Sequence, residues 1–400
     1  VTRFGRRTNP WLFAVEDTAV QITWAADGLE AFSGTVGGRA IEVPAAAGPG
    51  ALILDGLAPG TEIRLRTAAG RLVTASGTTP NRTLVSPPGE ELYRFATVSD
   101  LHIGERSFGY RGTIVERPRP VEHHPERATR AALAELEAWG AQSVIVKGDI
   151  THGGKARQWD RYAAAVADCH LPLMMIPGNH DTGEYPGDKR KRRVDRLIGE
   201  SATDPEPPIT MDAARRRVGL EPVGPVQVVD VPGLRILAVD TTVPGQRAGQ
   251  LDQVGEEVAD RAAEVDLPVF VALHHQLLTL PVPHHPPPGI PANQSRRFLD
   301  RLRAANPAAF VTSGHTHRHR RRTDGTIVVT EVGSPKDYPG TWGGYVVHEG
   351  GIRQVVRRVT APDILAWTDR TAAAALGAWG WWSPGTLPAR CFTHIWPSRR

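Results

Sequence analysis

Between residues 11 and 80 apolar and polar positions alternate in short runs, Val20-Gln21-Ile22-Thr23-Trp24, Ile41-Glu42-Val43 and Ile63-Arg64-Leu65-Arg66, parted by Gly, Pro and Asp. A period of two sends successive side chains to opposite faces of a strand, and turn residues at this density predict a small β-sandwich. The stretch Thr79 to Glu90 carries Pro80, Pro87 and Pro88 and reads as a linker, because proline cannot donate to either flanking sheet. Beyond it the period changes. An apolar strand at Tyr93 to Val98 runs into Asp100 and His102. A helix over about Pro125 to Trp139, apolar at helical spacing, leads to a strand at Ser143 to Val146 that ends in Gly148-Asp149. A second helix, about Lys155 to Asp168, leads to Leu173-Met174-Met175-Ile176, which ends in Pro177-Gly178-Asn179-His180. Val269 to Leu273 delivers His274, and Ala308 to Thr312 delivers Gly314-His315. Alternating strands and helices with polar residues at the strand ends predict an α/β fold whose ligands bind beyond the carboxyl edge of a sheet. After Val359 a helical segment, about Ile364 to Leu376, precedes Trp379, Trp381, Trp382 and Trp396, whose aromatic mass predicts packing against the neighbouring domain. The expected division is 1–90 for sandwich and linker, 91–360 for the α/β domain and 361–400 for a helical, Trp-rich segment packed on it.

Composition narrows the classes. With 400 residues, 40% of them apolar, the chain can bury more than one core. A balance of 47 Lys+Arg against 43 Asp+Glu leaves +4, too little to predict a nucleic-acid track or a membrane surface. Cys169 and Cys391 are the only cysteines and lie far apart, so neither a disulfide scaffold nor a Cys-based zinc site is expected. No stretch approaches the roughly 20 apolar residues of a membrane helix, and a soluble cytoplasmic protein is the expectation. Two basic runs, Lys189 to Arg193 and Arg318 to Arg322, flank polar motifs; they either steer an anionic substrate or form exposed charged loops, the second being preferred for the outer members. The loop His284-His285-Pro286-Pro287-Pro288 follows the His274 strand and reads as a solvated proline-rich loop ahead of a wall of the substrate mouth.

The polar strand ends, taken together, carry chemistry. In order they are Asp100-Leu101-His102, Gly148-Asp149, Gly178-Asn179-His180-Asp181, His274-His275 and Gly314-His315-Thr316-His317. Mixed imidazole and carboxylate donors suit divalent Mn, Fe or Zn, and a shared carboxylate can hold two cations despite their repulsion. The i, i+2 spacing of His315 and His317 aims both rings to one side only on an extended or turning backbone, from which each can reach a different ion.

The ordered set D-x-H, G-D, G-N-H-D, H-H and G-H-T-H resembles the calcineurin-like metallophosphoesterase superfamily over about residues 92 to 350. The resemblance implies an αββα sandwich with two divalent metal ions. Asp100, His102, Asp149 and His317 would hold one, and Asp149, Asn179, His274 and His315 the other, Asp149 bridging. It further implies a bridging hydroxide as nucleophile and His180 as the acid for the leaving oxygen, with Asp181 accepting from the other ring nitrogen. His275 is either a phosphate contact, a support behind the ligands or a bare neighbour, and Arg318 is the basic residue nearest the metals and a candidate substrate contact. Leu57-Ala58-Pro59-Gly60-Thr61-Glu62 resembles the corner of fibronectin type III domains, with Ile63 where a tyrosine is usual. Purple acid phosphatases join such a sandwich to this fold, but they lack the D-x-H histidine and carry a ligating tyrosine where this chain has His152. The D-x-H form is similar to phosphodiesterases of small diesters, cyclic nucleotides or glycerophosphodiesters among them. The expected substrate is therefore a small phosphate ester, without nucleic acid or membrane as partner. The alternatives are a phosphomonoesterase of the same fold, or a metal-stabilised binding protein whose sandwich recognises a protein or a glycan.

Overall fold

The computed structural model describes residues 9–74, 81–109, 114–116, 121–183, 207–252, 254–280 and 287–397. The basic run Lys189 to Arg193 and the pair His284-His285 lie outside the described residues.

The N-terminal sandwich has two antiparallel sheets. One orders Trp11–Val15, Val20–Trp24 and Gly50–Leu54; the other orders Arg39–Val43, Phe32–Val36, Glu62–Thr67 and Asn81–Arg82. Asn81–Arg82, expected in the linker, is thus its last strand. Glu62–Thr67 shows the predicted alternation, with Ile63 and Leu65 buried and Arg64 and Arg66 exposed. Trp11–Val15 is buried on both faces instead. One face meets the sandwich core of Leu12, Val15, Ile22 and Phe32, and the other, through Trp11, Phe13 and Ala14, joins the core of the α/β domain.

That domain is built on two six-stranded sheets among the described residues. The first orders Leu173–Ile176, Val144–Lys147, Glu91–Val98, Thr341–His348, Gly351–Arg358 and Phe392–Ile395; its first three strands are parallel. The second orders Val226–Val231, Leu234–Val239, Val269–Leu273, Ala309–Ser313, Ile327–Glu331 and Arg320–Asp324, with a parallel centre and antiparallel edges. Phe95, Ile145, Phe270, Phe310 and Tyr345 fill the space between them, Phe95 meeting Phe270 edge-on at 4.9 Å and stacking on Tyr345 at 5.1 Å. Each such side chain contributes roughly 1.5–3 kcal/mol by leaving water. Helices His124–Ala138 and Ala156–Val166 cover the outer face of the first sheet, and Gly255–Ala263 and Ala292–Ala305 that of the second, giving the expected αββα layering. The parallel strands of both sheets end on one side, which brings the polar motifs to a common edge.

The C-terminal segment departs from the helical expectation. After helix Pro362–Thr371 the chain returns as Phe392–Ile395, which pairs with Gly351 to Gln354 and closes the edge of the first sheet. A four-residue strand has too little periodicity to be seen in sequence, and its partner creates it. Trp396 packs on the inter-sheet core, Trp382 stacks on Arg318 and Trp379 faces Phe108 at 5.4 Å, whereas Trp381 is 64% exposed against the expectation of packing.

Buried charge ties the two units together. Arg353 pairs with Asp17, Arg357 Nε donates to Glu16 Oε1 at 2.6 Å, Trp139 Nε1 donates to Glu16 Oε2 at 3.1 Å, and Gln21 exchanges two hydrogen bonds of 2.8 Å with the Arg358 backbone. Burial alone would raise the Asp17 carboxyl; Arg353 and the Ser86 hydroxyl outweigh it and hold the group below its ordinary value. Arg353→Met strands Asp17 as a buried, unpaired charge, and we expect a loss of roughly 3 kcal/mol in urea denaturation. In the wild type this contribution is complete above the ordinary carboxylate pKa of about 4. It is lost as pH falls through the lower native value, so the urea midpoint drops on acidification more steeply in the wild type than in the variant.

Candidate metal centre

Asp149 follows strand Val144–Lys147 and sits with 2% exposure between the ends of the two sheets. Its Oδ1 lies 3.4 Å from His274 Nε2 and accepts the backbone N–H of His180 at 2.7 Å, while its Oδ2 lies 3.6 Å from His102 Nε2. On the second-sheet side, His274 Nε2 is also 3.2 Å from Asn179 Oδ1 and 3.1 Å from His315 Nδ1. On the other side, His317 Nε2 is 3.3 Å from Asp100 Oδ1. Donor atoms of Asp100, His102 and His317 cluster within 4.8 Å, as do those of Asp100, Asp149 and His274. The structure therefore gathers all seven predicted ligands, in two groups that share Asp149.

Their outward contacts test whether ions fit. His274 Nδ1 donates to Lys147 O at 2.8 Å, His315 Nε2 to Pro288 O at 3.1 Å and His317 Nδ1 to Asp337 Oδ2 at 2.6 Å, while His102 Nδ1 lies 3.4 Å from His152 Nδ1. Each ring's far nitrogen is engaged, which turns the lone pair of the near nitrogen into the cluster. His102 Nε2 is buried with no hydrogen-bond partner, a donor atom without protein to satisfy it. Burial, with Lys336 and His180 nearby, pushes His102 well below its ordinary pKa, and burial with His274 nearby does the same to His315. Burial also opposes charging of His274, but the Asp149 carboxylate lifts it to about 9. The donor set fits divalent metal ions.

The backbone is bent to make this set. Asp100 (φ 56°), His102 (49°), Asp149 (47°), His315 (66°) and His317 (52°) are left-handed, five of the seven such non-glycine residues among those described. Each costs about 1–3 kcal/mol, and the strain concentrates where the ligands converge. The motif glycines answer the same crowding: a Cβ at Gly178 would overlap the Asp149 carboxylate, and one at Gly314 would overlap Ser99 Oγ and crowd Asp100 Oδ2.

His180 stands at the rim, its ring 4.6 Å from that of His102, and its Nδ1 donates to the His152 carbonyl at 3.1 Å. That corrects the expected role of Asp181. Its carboxylate accepts from the backbone N–H groups of Ile150 (3.1 Å), Thr151 (2.7 Å) and Gly178 (2.9 Å) and from the Thr151 hydroxyl (2.8 Å). The turn after Asn179 points it back into the loop that carries Asp149, where it clamps two ligand loops and does not orient His180. Arg318 is corrected as well: its Nε donates to Glu331 Oε2 at 2.8 Å, and its guanidinium lies 4.6 Å from the Trp382 ring, so its charge is committed away from a substrate. His275 is fully buried, its ring 4.8 Å from those of His274 and His315 and its Nδ1 2.8 Å from Thr241 Oγ1. Its donor atom lies within 4.8 Å of those of His274 and His315 and its Nε2 is buried with no hydrogen-bond partner, so it joins the second donor group, out of reach of solvent.

Sequence reasoning missed Asp337. It is fully buried, pairs with Lys336 at 3.3 Å and holds His317, while Lys336 also reaches Glu105 at 2.6 Å. No spacing signals it, because it meets His317 only through the fold.

Residues 93–319 match the family model described as calcineurin-like phosphoesterase. A probable cyclic nucleotide phosphodiesterase from Rhodococcus erythropolis is 28% identical over 245 residues, 55% of this chain and 70% of that protein. A dimetal phosphatase from Danio rerio aligns at 13% identity with a TM-score of 0.48, over 68% of this chain and 99% of that one. A purple acid phosphatase from yellow lupin (Lupinus luteus) aligns at 14% identity with a TM-score of 0.41, over 88% of this chain and 72% of that one.

Two substitutions separate the shared ligand from its supports. Asp149→Asn removes charge from both groups, so elemental analysis after dialysis should show both metals lost together. Asp337→Ala removes only the support of His317, and the affinity of one metal, titrated calorimetrically, should fall roughly 10–100-fold while the other is kept.

Proposed function

The chain belongs to the calcineurin-like phosphoesterase family, and on that premise we propose that it hydrolyses small phosphodiesters, of the cyclic nucleotide or glycerophosphodiester type, with His180 as general acid. The phosphoester hydrolase class follows from the family match; the diester preference and the residue roles are our reading. One observation carries it: the imidazole donors converge on Asp149 with their far nitrogens engaged, and His180 lies beside them at the rim.

Two bound divalent ions would neutralise the phosphate oxygens and supply an activated water at neutral pH. The chain's own residues do the rest. Asp100, His102 and His317 would hold one divalent cation and Asn179, His274 and His315 the other, with Asp149 belonging to both sets. With Nδ1–H donating to the His152 carbonyl, His180 presents Nε2 as the nitrogen that hands a proton to the leaving oxygen. The His180 backbone N–H on Asp149 Oδ1 fixes the distance between acid and shared carboxylate. Without that proton the departing alkoxide of a phosphate ester is a poor leaving group, so a rigidly placed acid suits cleavage of diesters and monoesters alike. What supports the diester over the monoester is the name of the bacterial relative, a probable cyclic nucleotide phosphodiesterase.

The test strips metal, reloads Mn, Zn or Fe, and compares bis(p-nitrophenyl) phosphate with p-nitrophenyl phosphate. The diester should turn over faster, and only with metal. His180→Ala should keep both metals and lose about 100- to 10,000-fold in kcat on diesters with alkoxide leaving groups. Turnover of the monoester alone would move the reading to a phosphatase, and no turnover with both metals bound would favour a binding protein.

A further inference from the structure

After helix Pro362–Thr371 the chain makes a turn that ordinary residues avoid. Ala375 (φ 52°) and Leu376 (φ 60°) are left-handed, and they are the two such non-glycine residues among those described that are not candidate ligands. Leu376 is 92% exposed, so no burial of its side chain offsets the strain. What the turn achieves is direction: it sends the short helix Ala378–Trp382 back against the loop that carries His315 and His317.

There the segment grips three consecutive residues. The Trp379 ring meets the His317 ring edge-on at 6.1 Å, the Trp382 ring lies 4.6 Å from the Arg318 guanidinium, and the Ser383 carbonyl accepts the His319 backbone N–H at 2.9 Å. Two residues on, the backbones come closer still. A Cβ at Gly385 would stand 2.1 Å from His319 O, an approach that only glycine allows. The indole of Trp379 is held in turn by Phe108, at 5.4 Å, whose ring lies 5.0 Å from Lys336 Nζ beside the Asp337 that supports His317.

His317 is the ligand that needs such a grip. It is the least buried of the seven, its side chain 13% exposed where that of His102 is 7% and that of His274 is fully buried. Asp337 holds the ring by a hydrogen bond at Nδ1, about which the ring can still tilt. A second contact from the indole removes that freedom and keeps Nε2 turned toward Asp100. We infer that residues 378 to 385 are a clamp on the ligand loop, with Trp379 the positioning residue that sets how tightly Asp100, His102 and His317 hold their ion. The partners of Asn179, His274 and His315 lie elsewhere, so the other position is indifferent to the clamp. By linkage the dependence is mutual: an ion bound at the first position tightens the clamp by the factor with which the clamp tightens the ion. The inference rests on the two-ion reading of the donor set and is independent of which ester is cleaved.

The test titrates metal into the stripped full chain by calorimetry and follows hydrogen exchange by mass spectrometry. Trp379→Ala should weaken one ion roughly tenfold and leave the other at its wild-type affinity. Trp379→Phe, which keeps an aromatic ring, should recover most of that loss, and Gly385→Ala, which pushes the backbone off His319, should repeat it. In the unaltered chain, metal loading should slow exchange of the amides in 378–385 by roughly the same tenfold, while sandwich strand Phe32–Val36 exchanges as before. Equal loss of both ions in variants that keep the wild-type circular dichroism, loss of neither, or exchange in 378–385 that ignores metal overturns the clamp. A wild type that takes up fewer than two ions overturns the two-ion reading itself, and the clamp with it.

Discussion

The Asp149 carboxylate is the constraint from which the rest of the site follows. A buried carboxylate is costly unless charge and hydrogen bonds meet it, and here His274, His102 and the His180 backbone N–H converge on its two oxygens. Those groups arrive from three different strands in two sheets. The two sheets must therefore meet at a fixed height, and contacts beside Asp149 set it: Lys147 Nζ donates to Ser313 O at 2.8 Å, His274 donates to Lys147 O, and the His315 backbone N–H donates to Asp100 Oδ2 at 2.9 Å. Each bond joins the first sheet to the second, within a few residues of a candidate ligand.

Convergence of this kind has a backbone cost. Strand ends must turn sharply to aim short side chains at one point, which accounts for the left-handed Asp100, His102, Asp149, His315 and His317. Packed aromatic rings between the sheets and the hydrogen bonds of Asp181 to two ligand loops hold these turns in place. Asp181 is thus as much part of the centre as a ligand, although it reaches neither an ion position nor the acid.

The sandwich is a brace for the α/β domain. Glu16 and Asp17 lie buried against Arg353 and Arg357, and the core of the α/β domain extends into strand Trp11–Val15. A unit joined by buried charge, backbone hydrogen bonds and shared core cannot swing freely.

What the sequence determined by itself was local. Val269–Leu273 and Leu173–Ile176 are strands because uninterrupted apolar runs have a short-range signature, and the polar groups that end them, His274 and Asn179, are placed by that position alone. Gly178 and Gly314 were visible as motif letters, though not the overlap with Asp149 and Ser99 that requires them. Tertiary structure decided everything set by approach between distant segments. It gave the far nitrogens their partners in Lys147 O, Pro288 O and Asp337. It also turned Asp181 away from its neighbour His180, drew Arg318 to Glu331 and made an edge strand of Phe392–Ile395. The physical reason is common to all four: a residue's identity fixes what it can bond, and only the packing of strands and helices fixes which partner comes within about 3 Å of it.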